Sequence, residues 1–233
     1  MKSARQILAL IRTMCPEGAF PGRGGRGDAE WAPDPFHVLI YTVLSQRTRD
    51  QNTHAASSRL FAKYGTPQSL AHAPKATVEM LIRPAGFPTA KAKAIKEIAR
   101  TVLEEYGGVV PSDIGALMAM PMVGRKTANC VRSYAFRIPS ICVDTHVHRI
   151  SNRIGLVRTK TPEETEMGLQ VVVPRGLWID VNSLMVRFGQ KVCLPRSPRC
   201  TNCPVAPHCD YYSNVFLPSQ LRQGERITRS SGG

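Results

Sequence analysis

The chain has 233 residues, 42% of them hydrophobic, and its 31 Lys and Arg against 17 Asp and Glu give a formal net charge of +14. This length and hydrophobic content are enough for one large or two small folded domains and exclude a disordered chain. An excess of positive charge repels itself in a compact fold, and its most common use is to neutralise the phosphates of nucleic acid. The alternative is a basic surface that has no partner.

The ends of the chain and its cysteines indicate a compartment. The apolar run Ile7–Ile11 is too short for a signal peptide and meets Arg12 at once, and no stretch approaches the length of a membrane span. We therefore expect an intracellular protein of a bacterial or archaeal cell, cytoplasmic and associated with the nucleoid, monomeric and without a membrane partner. Seven Cys is an odd number, which argues against a framework made only of disulfides.

Helical patterns follow one another along the chain, and the few β-branched runs have no hairpin partner. Ser3 caps a predicted first helix that reaches Met14, and the Gly- and Pro-rich stretch from Pro16 to Pro33 is predicted to be a flexible crossing between domains. Asp34 and Pro35 predict the start of a second helix. Further helices are predicted at 50–64, 67–72, 75–83, 90–106 (capped by Thr89), 112–121 (opened by Ser112), 125–136, 145–154, 162–172 and 177–188, before a loose tail from Asn214.

Four cysteines near the C-terminus, with six, two and five residues between successive members, form the first strong motif: Cys193, Cys200, Cys203 and Cys209. Prolines between them prevent a helix and favour a loop that folds around one centre. Zinc takes four thiolates but usually from two closely spaced pairs, whereas a [4Fe–4S] cluster takes one Cys per iron and tolerates uneven spacing. Because one gap of the three has two residues, the spacing favours the cluster modestly over zinc.

The segment from Met120 to Ala128 predicts a turn between two helices that contains Pro121 and Gly124. Such a turn exposes backbone N–H groups at a helix N-terminus, where the helix dipole also favours a phosphate. Many turns of this kind bind nothing, so the pattern alone leaves both interpretations open.

Lys126 and Asp144 stand 18 residues apart, near the starts of two successive predicted helices. A lysine at a helix N-terminus beside Arg125 should lose its proton more readily, and a neutral amine is a nucleophile able to form a Schiff base with a sugar carbon. A nearby carboxylate can stabilise a cationic sugar and move protons. The simpler interpretation is that Lys126 contacts a phosphate and that Asp144 caps its helix.

Taken in order, these motifs resemble the helix-hairpin-helix DNA glycosylases, and specifically the endonuclease III family. The resemblance runs from about Ala4 to Tyr212 and includes Leu44-Ser45 with Asp50, Ala85-Gly86-Phe87 before Lys91-Ala92, the hairpin with Lys126, Val143-Asp144-Thr145-His146 and the cysteine loop. It implies an all-α, two-lobed fold with a C-terminal iron–sulfur loop. The implied domains are 28–138, a continuous helical domain with the hairpin, and 1–27 with 139–212, which holds the cluster; 213–233 is a tail.

The resemblance also implies an activity: a bifunctional DNA glycosylase and AP lyase of base excision repair, which removes oxidised pyrimidines from damaged double-stranded DNA. Lys126 would attack the sugar and expel the base, the Schiff base would then permit β-elimination, and Asp144 would be the essential carboxylate. The cysteines would hold a structural [4Fe–4S] cluster. The DNA contacts would come from Met122, Gly124, Arg125 and Thr127 of the hairpin, from Arg47, Phe87 and His146, and from Lys191, Arg196 and Arg199 beside the cluster.

The sequence departs from the family pattern at three positions. Met122 stands where the hairpin usually has Gly, which permits positive φ, so we expect a distorted hairpin and weaker DNA binding. Arg47 stands in the place of a Gln that fills the gap left by the flipped base, and Phe87 in the place of a Leu wedge. These two changes affect substrate range and opposite-base preference rather than the type of reaction.

Three other functional classes fit part of the pattern. A non-catalytic helix-hairpin-helix DNA-binding protein would need neither Lys126 nor Asp144, and a monofunctional glycosylase would have another residue at the Lys126 position. An electron-transfer protein would need a cofactor motif beyond the one cysteine group. Cys15, Cys130 and Cys142 are scattered and are predicted to be small core residues.

Overall fold

The computed structural model describes residues 3–15 and 34–221, and over these residues helices and turns account for all of the regular structure. The Gly- and Pro-rich crossing predicted between Pro16 and Pro33 lies outside the described residues. Within them, no helix has the length and apolar character needed to cross a membrane.

Contacts divide the chain into two compact units, Met1–Glu17 with Ile141–Gly233 and Gly18–Ser140. We call the described part of the first the cysteine unit and that of the second the hairpin unit. The division falls between Ser140 and Ile141, whereas the sequence predicted a boundary after residue 138. The other predicted boundary, after residue 27, lies outside the described residues.

The hairpin unit consists of seven helices: α2 (Pro35–Ser45), α3 (Asp50–Lys63), α4 (Pro67–His72), α5 (Lys75–Leu81), α6 (Pro88–Glu105), α7 (Ile114–Met118) and α8 (Arg125–Tyr134). Helix α2 packs on α3 and α8, and α6 packs on α4 and α5. Apolar side chains of α2 and α6, such as Leu39, Ile40, Ile95 and Ile98, are fully buried in its core. Removing this apolar surface from water is the main force that holds the helices together.

The cysteine unit contains α1 (Ala4–Met14), α9 (Thr145–Ile154), α10 (Pro162–Val172) and α11 (Trp178–Lys191), followed by the cysteine loop. Helix α11 packs on both α1 and α9. Its core includes Ile7 and Ile11 of α1, Ile150 of α9 and Phe188 of α11, all at most 1% exposed. Cys15, Cys130 and Cys142 are buried in their units, which confirms their assignment as core residues.

Several helices begin where the sequence predicted because a side chain caps them. Asp34 Oδ1 accepts hydrogen bonds from the backbone N–H groups of Phe36 and His37, and Thr66 forms a capping box with Ser69 before Pro67. Such a cap contributes about 1 kcal/mol to stability, since it satisfies N–H groups that have no partner within the helix.

Several predicted element ends were wrong, among them the end of α8, at Tyr134 rather than residue 136, and the end of α11, at Lys191 rather than residue 188. Helix α6 begins at Pro88 and not after a Thr89 cap, because Phe87 takes a left-handed conformation with φ of 57° and Pro88 suits the first helical position. Helix α7 is capped by Asp113 rather than Ser112, and ends before Met120, which turns into the core. The tail predicted to be loose from Asn214 is helical as far as Leu221, and the rings of Tyr212 and Phe216 stack there with centroids 5.6 Å apart. Residues 222–233 of the predicted tail lie outside the described residues.

Candidate active site

The turn between α7 and α8 places a helix N-terminus at the surface of the hairpin unit. Met120 and Val123 are buried and anchor the turn, while Met122 is 39% exposed and has a φ of 60°. Gly124 occupies the N-cap position without a side-chain cap, and a Cβ added to it would meet nothing within 4 Å. The first turn of α8 has no acidic residue. The N-terminus of α8 therefore has the charge and the room that an anion needs.

Lys126 is the second residue of α8, is half-buried, and lines an open pocket of the hairpin unit. The same pocket is lined by Gln46, Met118, Met122 and Thr127, among other residues. Arg125 is exposed, whereas Thr127 is 3% exposed and its Oγ1 lies 3.3 Å from Gln46 Nε2. The side chain of Thr127 is thus turned inward, and any contact it makes with DNA would come from its backbone.

Met122 takes the left-handed conformation that a glycine would take at its position. The amide of Gln46 donates a hydrogen bond of 2.8 Å to the carbonyl oxygen of Met122 and so holds this part of the turn. Non-glycine residues adopt such a φ at a cost of about 1–2 kcal/mol. Met122 thus adopts the positive φ that favours glycine, and its backbone is strained.

Arg47 and Phe87 are the two residues predicted to enter the DNA, and both are exposed with positive φ. Arg47 has a φ of 50°, and Phe87 has a φ of 57° with 61% of its surface exposed. A phenylalanine that packed in the core would be covered, so the exposure excludes that alternative for Phe87. Left-handed residues other than glycine are uncommon and concentrate at functional sites.

Lys91 of α6 is a residue whose importance was missed in the sequence interpretation. It is 1% exposed, and its Nζ donates to the carbonyl oxygens of Leu44 at 2.7 Å and Gln46 at 2.6 Å and to Thr48 Oγ1 at 2.8 Å. Burial lowers the pKa of Lys91 to about 8. Lysine is almost never fully buried, so composition and periodicity gave no signal for it.

Asp144 is the N-cap of α9 in the cysteine unit, as predicted. Its Oδ1 accepts from the backbone N–H groups of His146 and Val147, both at 2.9 Å, and the residue is half-buried. Lys126 belongs to the hairpin unit and Asp144 to the cysteine unit, so their joint action stays a prediction.

His146 follows Asp144 and contacts another residue of its own helix. Arg149 Nη2 lies 3.1 Å from His146 Nδ1 and donates to the carbonyl oxygen of Cys193 at 3.0 Å. A Cβ on Gly189 would overlap the ring of His146, so this glycine of α11 makes room for the ring. The sequence did not single out Gly189, because only the packing of α11 on α9 reveals its role.

The four cysteines line one cavity in the cysteine unit, together with Arg153, Pro198 and Tyr211 among other residues. Arg153 donates to the carbonyl oxygens of Leu194 at 2.7 Å and Pro195 at 2.8 Å, and its Nη1 lies 3.6 Å from Cys193 Sγ. The guanidinium also lies over the ring of Tyr211, 4.6 Å from its centroid.

The electrostatics of this cavity fit a centre that binds thiolates. Burial, and then the charges of Cys193, Cys203 and Cys209, raise the pKa of Cys200 to about 11. The four cysteines line one cavity, so as thiolates they would repel one another, and a bound cation would be needed to keep them charged. Among the residues that the structure describes, no group of three or more His, Cys, Asp or Glu meets the geometry of a single-ion site.

The basic residues predicted beside the cluster, Lys191, Arg196 and Arg199, are all exposed. Lys191 is the last residue of α11, and the other two lie between the first and second cysteines. Among the described residues, none covers these three side chains, so a phosphate could reach them.

The sequence and the fold are both similar to those of known proteins. The HhH-GPD superfamily of base excision DNA repair proteins matches residues 40–175. An endonuclease III of Thermotoga maritima is 51% identical over 179 residues, which are 77% of this chain and 84% of that protein. The mouse Endonuclease III-like protein 1 is 43% identical over 208 residues, or 85% of this chain and 69% of that one.

Solved structures of proteins with related sequences share the fold. A trapped covalent endonuclease III–DNA intermediate, the estranged-adenine complex, aligns with a TM-score of 0.82 and 34% identity over 93% of this chain and 100% of that chain. A thermostable thymine-DNA glycosylase aligns with a TM-score of 0.76 and 27% identity over 91% of this chain and 97% of that chain.

Proposed function

The chain belongs to the HhH-GPD superfamily of base excision DNA repair proteins and, within it, to the endonuclease III family, and on this basis we propose which of its residues carry out the reaction. The protein is a DNA glycosylase and AP lyase of base excision repair. The substrates we propose are oxidised pyrimidines in duplex DNA.

Lys126 is the proposed nucleophile. Its amine forms a bond to C1′ of the damaged nucleotide as the glycosidic bond breaks and the base leaves with the bonding electrons. Loss of the amine protons and opening of the sugar ring give a Schiff base between Nζ and C1′. Removal of a proton from C2′ then expels the 3′ phosphate by β-elimination. The position of Lys126 in an open pocket at the start of α8 is the observation that supports this role.

Asp144 is the proposed carboxylate of the reaction. The helix cap uses Oδ1 for both of its hydrogen bonds, so the cap fixes the orientation of the carboxylate without requiring Oδ2. A carboxylate oriented in this way can stabilise positive charge on the sugar and transfer protons, which typically contributes about 10²- to 10⁴-fold to a rate.

The N-terminus of α8 is the proposed phosphate site. Met122, Gly124 and Arg125 are exposed there, and the helix carries no side-chain cap that would compete with a phosphate. Arg47 and Phe87 are proposed to enter the base stack, as gap-filler and wedge, because both are exposed at the ends of short loops.

The cysteine loop is proposed to hold a [4Fe–4S] cluster, with one iron on each cysteine sulfur. The four thiols line one cavity, and their uneven spacing suits one ligand per iron. The proposed function of the cluster is structural: it fixes the path of the loop that carries Arg196 and Arg199. These two residues, with Lys191 and His146, would then contact DNA phosphates. We also propose that the protein acts as a monomer on chromosomal DNA.

Trapping with borohydride tests the catalytic assignment. Wild-type protein incubated with duplex DNA containing one thymine glycol should excise the base, cut the strand and, with borohydride, form a covalent adduct. Lys126→Gln should bind the same duplex and form no adduct, since it lacks the amine.

Three other outcomes would contradict the proposal. Trapping by Lys126→Gln at the wild-type rate would show that another residue is the nucleophile. Excision without trapping by the wild-type protein would indicate a monofunctional glycosylase, and binding without excision would indicate a DNA-binding protein that performs no chemistry.

A further inference from the structure

A buried lysine, Lys91, is hydrogen-bonded to the segment that carries Arg47 and, through Thr48, is connected to the loop that carries Phe87. Lys91 Nζ makes three hydrogen bonds of 2.6–2.8 Å, and all three acceptors belong to the segment Leu44–Thr48 that carries Arg47. Two of the acceptors are main-chain oxygens on either side of Ser45. Lys91 therefore fixes the course of the backbone where the chain leaves α2 and turns.

Thr48 connects this segment with the loop that carries Phe87. Its Oγ1 donates to the carbonyl oxygen of Gln46 at 3.1 Å and accepts from Lys91 Nζ and, at 3.1 Å, from the backbone N–H of Gly86. A Cβ on Gly86 would lie 3.0 Å from the carbonyl oxygen of Arg47. The backbones of the two loops are thus in close contact through Thr48 and Gly86, next to the two left-handed residues.

We propose that Lys91 is a positioning residue for DNA: its ammonium group, through Thr48, holds Arg47 and Phe87 in the one arrangement that can enter a base stack. The inference rests on the proposed roles of Arg47 and Phe87. Left-handed Arg and Phe are intrinsically unfavourable, so such a pair persists where surrounding bonds hold it. A displacement of a positioning group by about 1 Å can cost about 10²-fold in rate.

Lys96 on the same helix offers a matched control. Its Nζ also donates to main-chain oxygens, those of Leu70, Ala71 and Ala73, but these belong to the end of α4. Lys91→Met and Lys96→Met therefore each remove from α6 an ammonium group that is hydrogen-bonded to main-chain oxygens of another segment. Of the two variants, Lys91→Met alone affects the loops that carry Arg47 and Phe87.

Two reactions separate positioning from chemistry. Excision of thymine glycol from duplex DNA requires the base stack to be opened, whereas borohydride trapping on a single-stranded abasic oligonucleotide requires the Lys126 amine and no stack. Under single-turnover conditions with saturating protein, Lys91→Met should slow duplex excision by about tenfold or more. It should change single-stranded trapping by less than about twofold, and Lys96→Met should leave both rates within about twofold of the wild type.

A second pair of variants keeps the test valid if Lys91→Met folds poorly. Thr48→Val removes the hydroxyl and keeps the shape of the side chain, so it should also slow duplex excision selectively, and Thr48→Ser should restore the rate. The positioning role is overturned if Lys91→Met and Thr48→Val leave duplex excision unchanged, or if they lower both reactions equally. A wild-type protein that neither excises nor traps would contradict the proposed function itself.

Discussion

The side-chain amide of Gln46 lies 2.8 Å from the carbonyl oxygen of Met122, so the end of α2 is hydrogen-bonded to the turn that precedes Lys126. Met122 is left-handed, and the bond stabilises the peptide that follows this strained residue. The departure of the hairpin from glycine at this position is therefore accommodated by a neighbour that is close in space and 76 residues away in sequence.

Met122→Gly tests this relationship. Glycine removes a strain of about 1–2 kcal/mol but adds freedom to the unfolded chain, which costs about 0.5–1 kcal/mol, so the free energy of unfolding should rise by up to about 1.5 kcal/mol. Gln46→Leu should lower it by about 1 kcal/mol in the wild type and by less in the Met122→Gly background. Urea unfolding of the four proteins measures the coupling, and strictly additive changes would show that the Gln46 bond does not support the strained turn.

Asp144→Asn should reduce the single-turnover rate by about 10²- to 10⁴-fold while changing stability little, because Asn retains an oxygen for the helix cap. Asp34 is the control, since its Oδ1 caps α2 by accepting from the N–H groups two and three residues later, at 2.8 and 3.0 Å, as Asp144 does in α9. Asp34→Ala should lower the free energy of unfolding by roughly 0.5–2 kcal/mol and leave the rate unchanged. Full activity of Asp144→Asn would show that Asp144 caps α9 and has no catalytic role.

Arg47→Gln should alter the dependence of excision on the partner base. Arginine offers donors only, and guanine presents two acceptors on one edge where adenine presents one, so wild-type protein should process a lesion opposite guanine faster than the same lesion opposite adenine. Arg47→Gln should bring the ratio of the two single-turnover rates closer to one. Arg49→Gln is the control, because Arg49 is also exposed but has ordinary backbone angles. Equal slowing of both substrates by Arg47→Gln would instead indicate a phosphate contact.

Purified protein prepared without oxygen should be yellow-brown and contain iron and acid-labile sulfide in nearly equal amounts. Cys200→Ser should lose both and unfold at a lower temperature, since the loop then loses the centre around which it folds. Cys142→Ser, which alters a buried cysteine away from the loop, should keep its iron. Stoichiometric zinc without iron or sulfide would contradict the cluster.

Stability should depend on pH through Lys91. Burial lowers the pKa of Lys91 in the folded protein to about 8, below its ordinary value of 10.5. Between these two values the unfolded chain binds a proton that the folded protein has released, so the free energy of unfolding rises with pH in this window. The difference in stability between wild type and Lys91→Met should therefore shift in favour of the wild type by about 2 kcal/mol from pH 7 to pH 9.5. Denaturant titrations of both proteins at the two pH values measure this shift. If the difference in the free energy of unfolding is the same at both pH values, the pKa of Lys91 in the folded protein is not lowered to about 8.

Sequence patterns predicted helices well where a residue type is specific for the start of a helix. Asp34 before Pro35 and Pro162 at a first helical position are capping signals that tertiary contacts did not change. The predicted start of α6 after Thr89 was wrong because a phenylalanine is not expected to adopt a left-handed conformation, as Phe87 does. The loop that precedes Phe87 is hydrogen-bonded to a segment 38 residues earlier, through Gly86 N–H and Thr48 Oγ1, and a local pattern does not contain such a contact.

The candidate site divides in the same way. The cysteine spacing predicted that four thiols share one site, and they line one cavity. Residue type and order also indicated Lys126 and Asp144, whose catalytic roles stay a prediction. Gln46, Lys91 and Gly189 were not indicated, since their roles depend on which main-chain oxygen or ring they meet after folding.

Lys91, Lys96, Arg149 and Arg153 each donate to main-chain oxygens. A main-chain oxygen is present whatever residue occupies the position, so these bonds place no demand on the side chains of the segments they hold. In related sequences, the residues at Leu194 and Pro195, which are half-buried and exposed, should therefore vary more than Arg153. Substitutions in the loop segments can then change which lesions are recognised, while the hydrogen bonds to their main-chain oxygens stay in place.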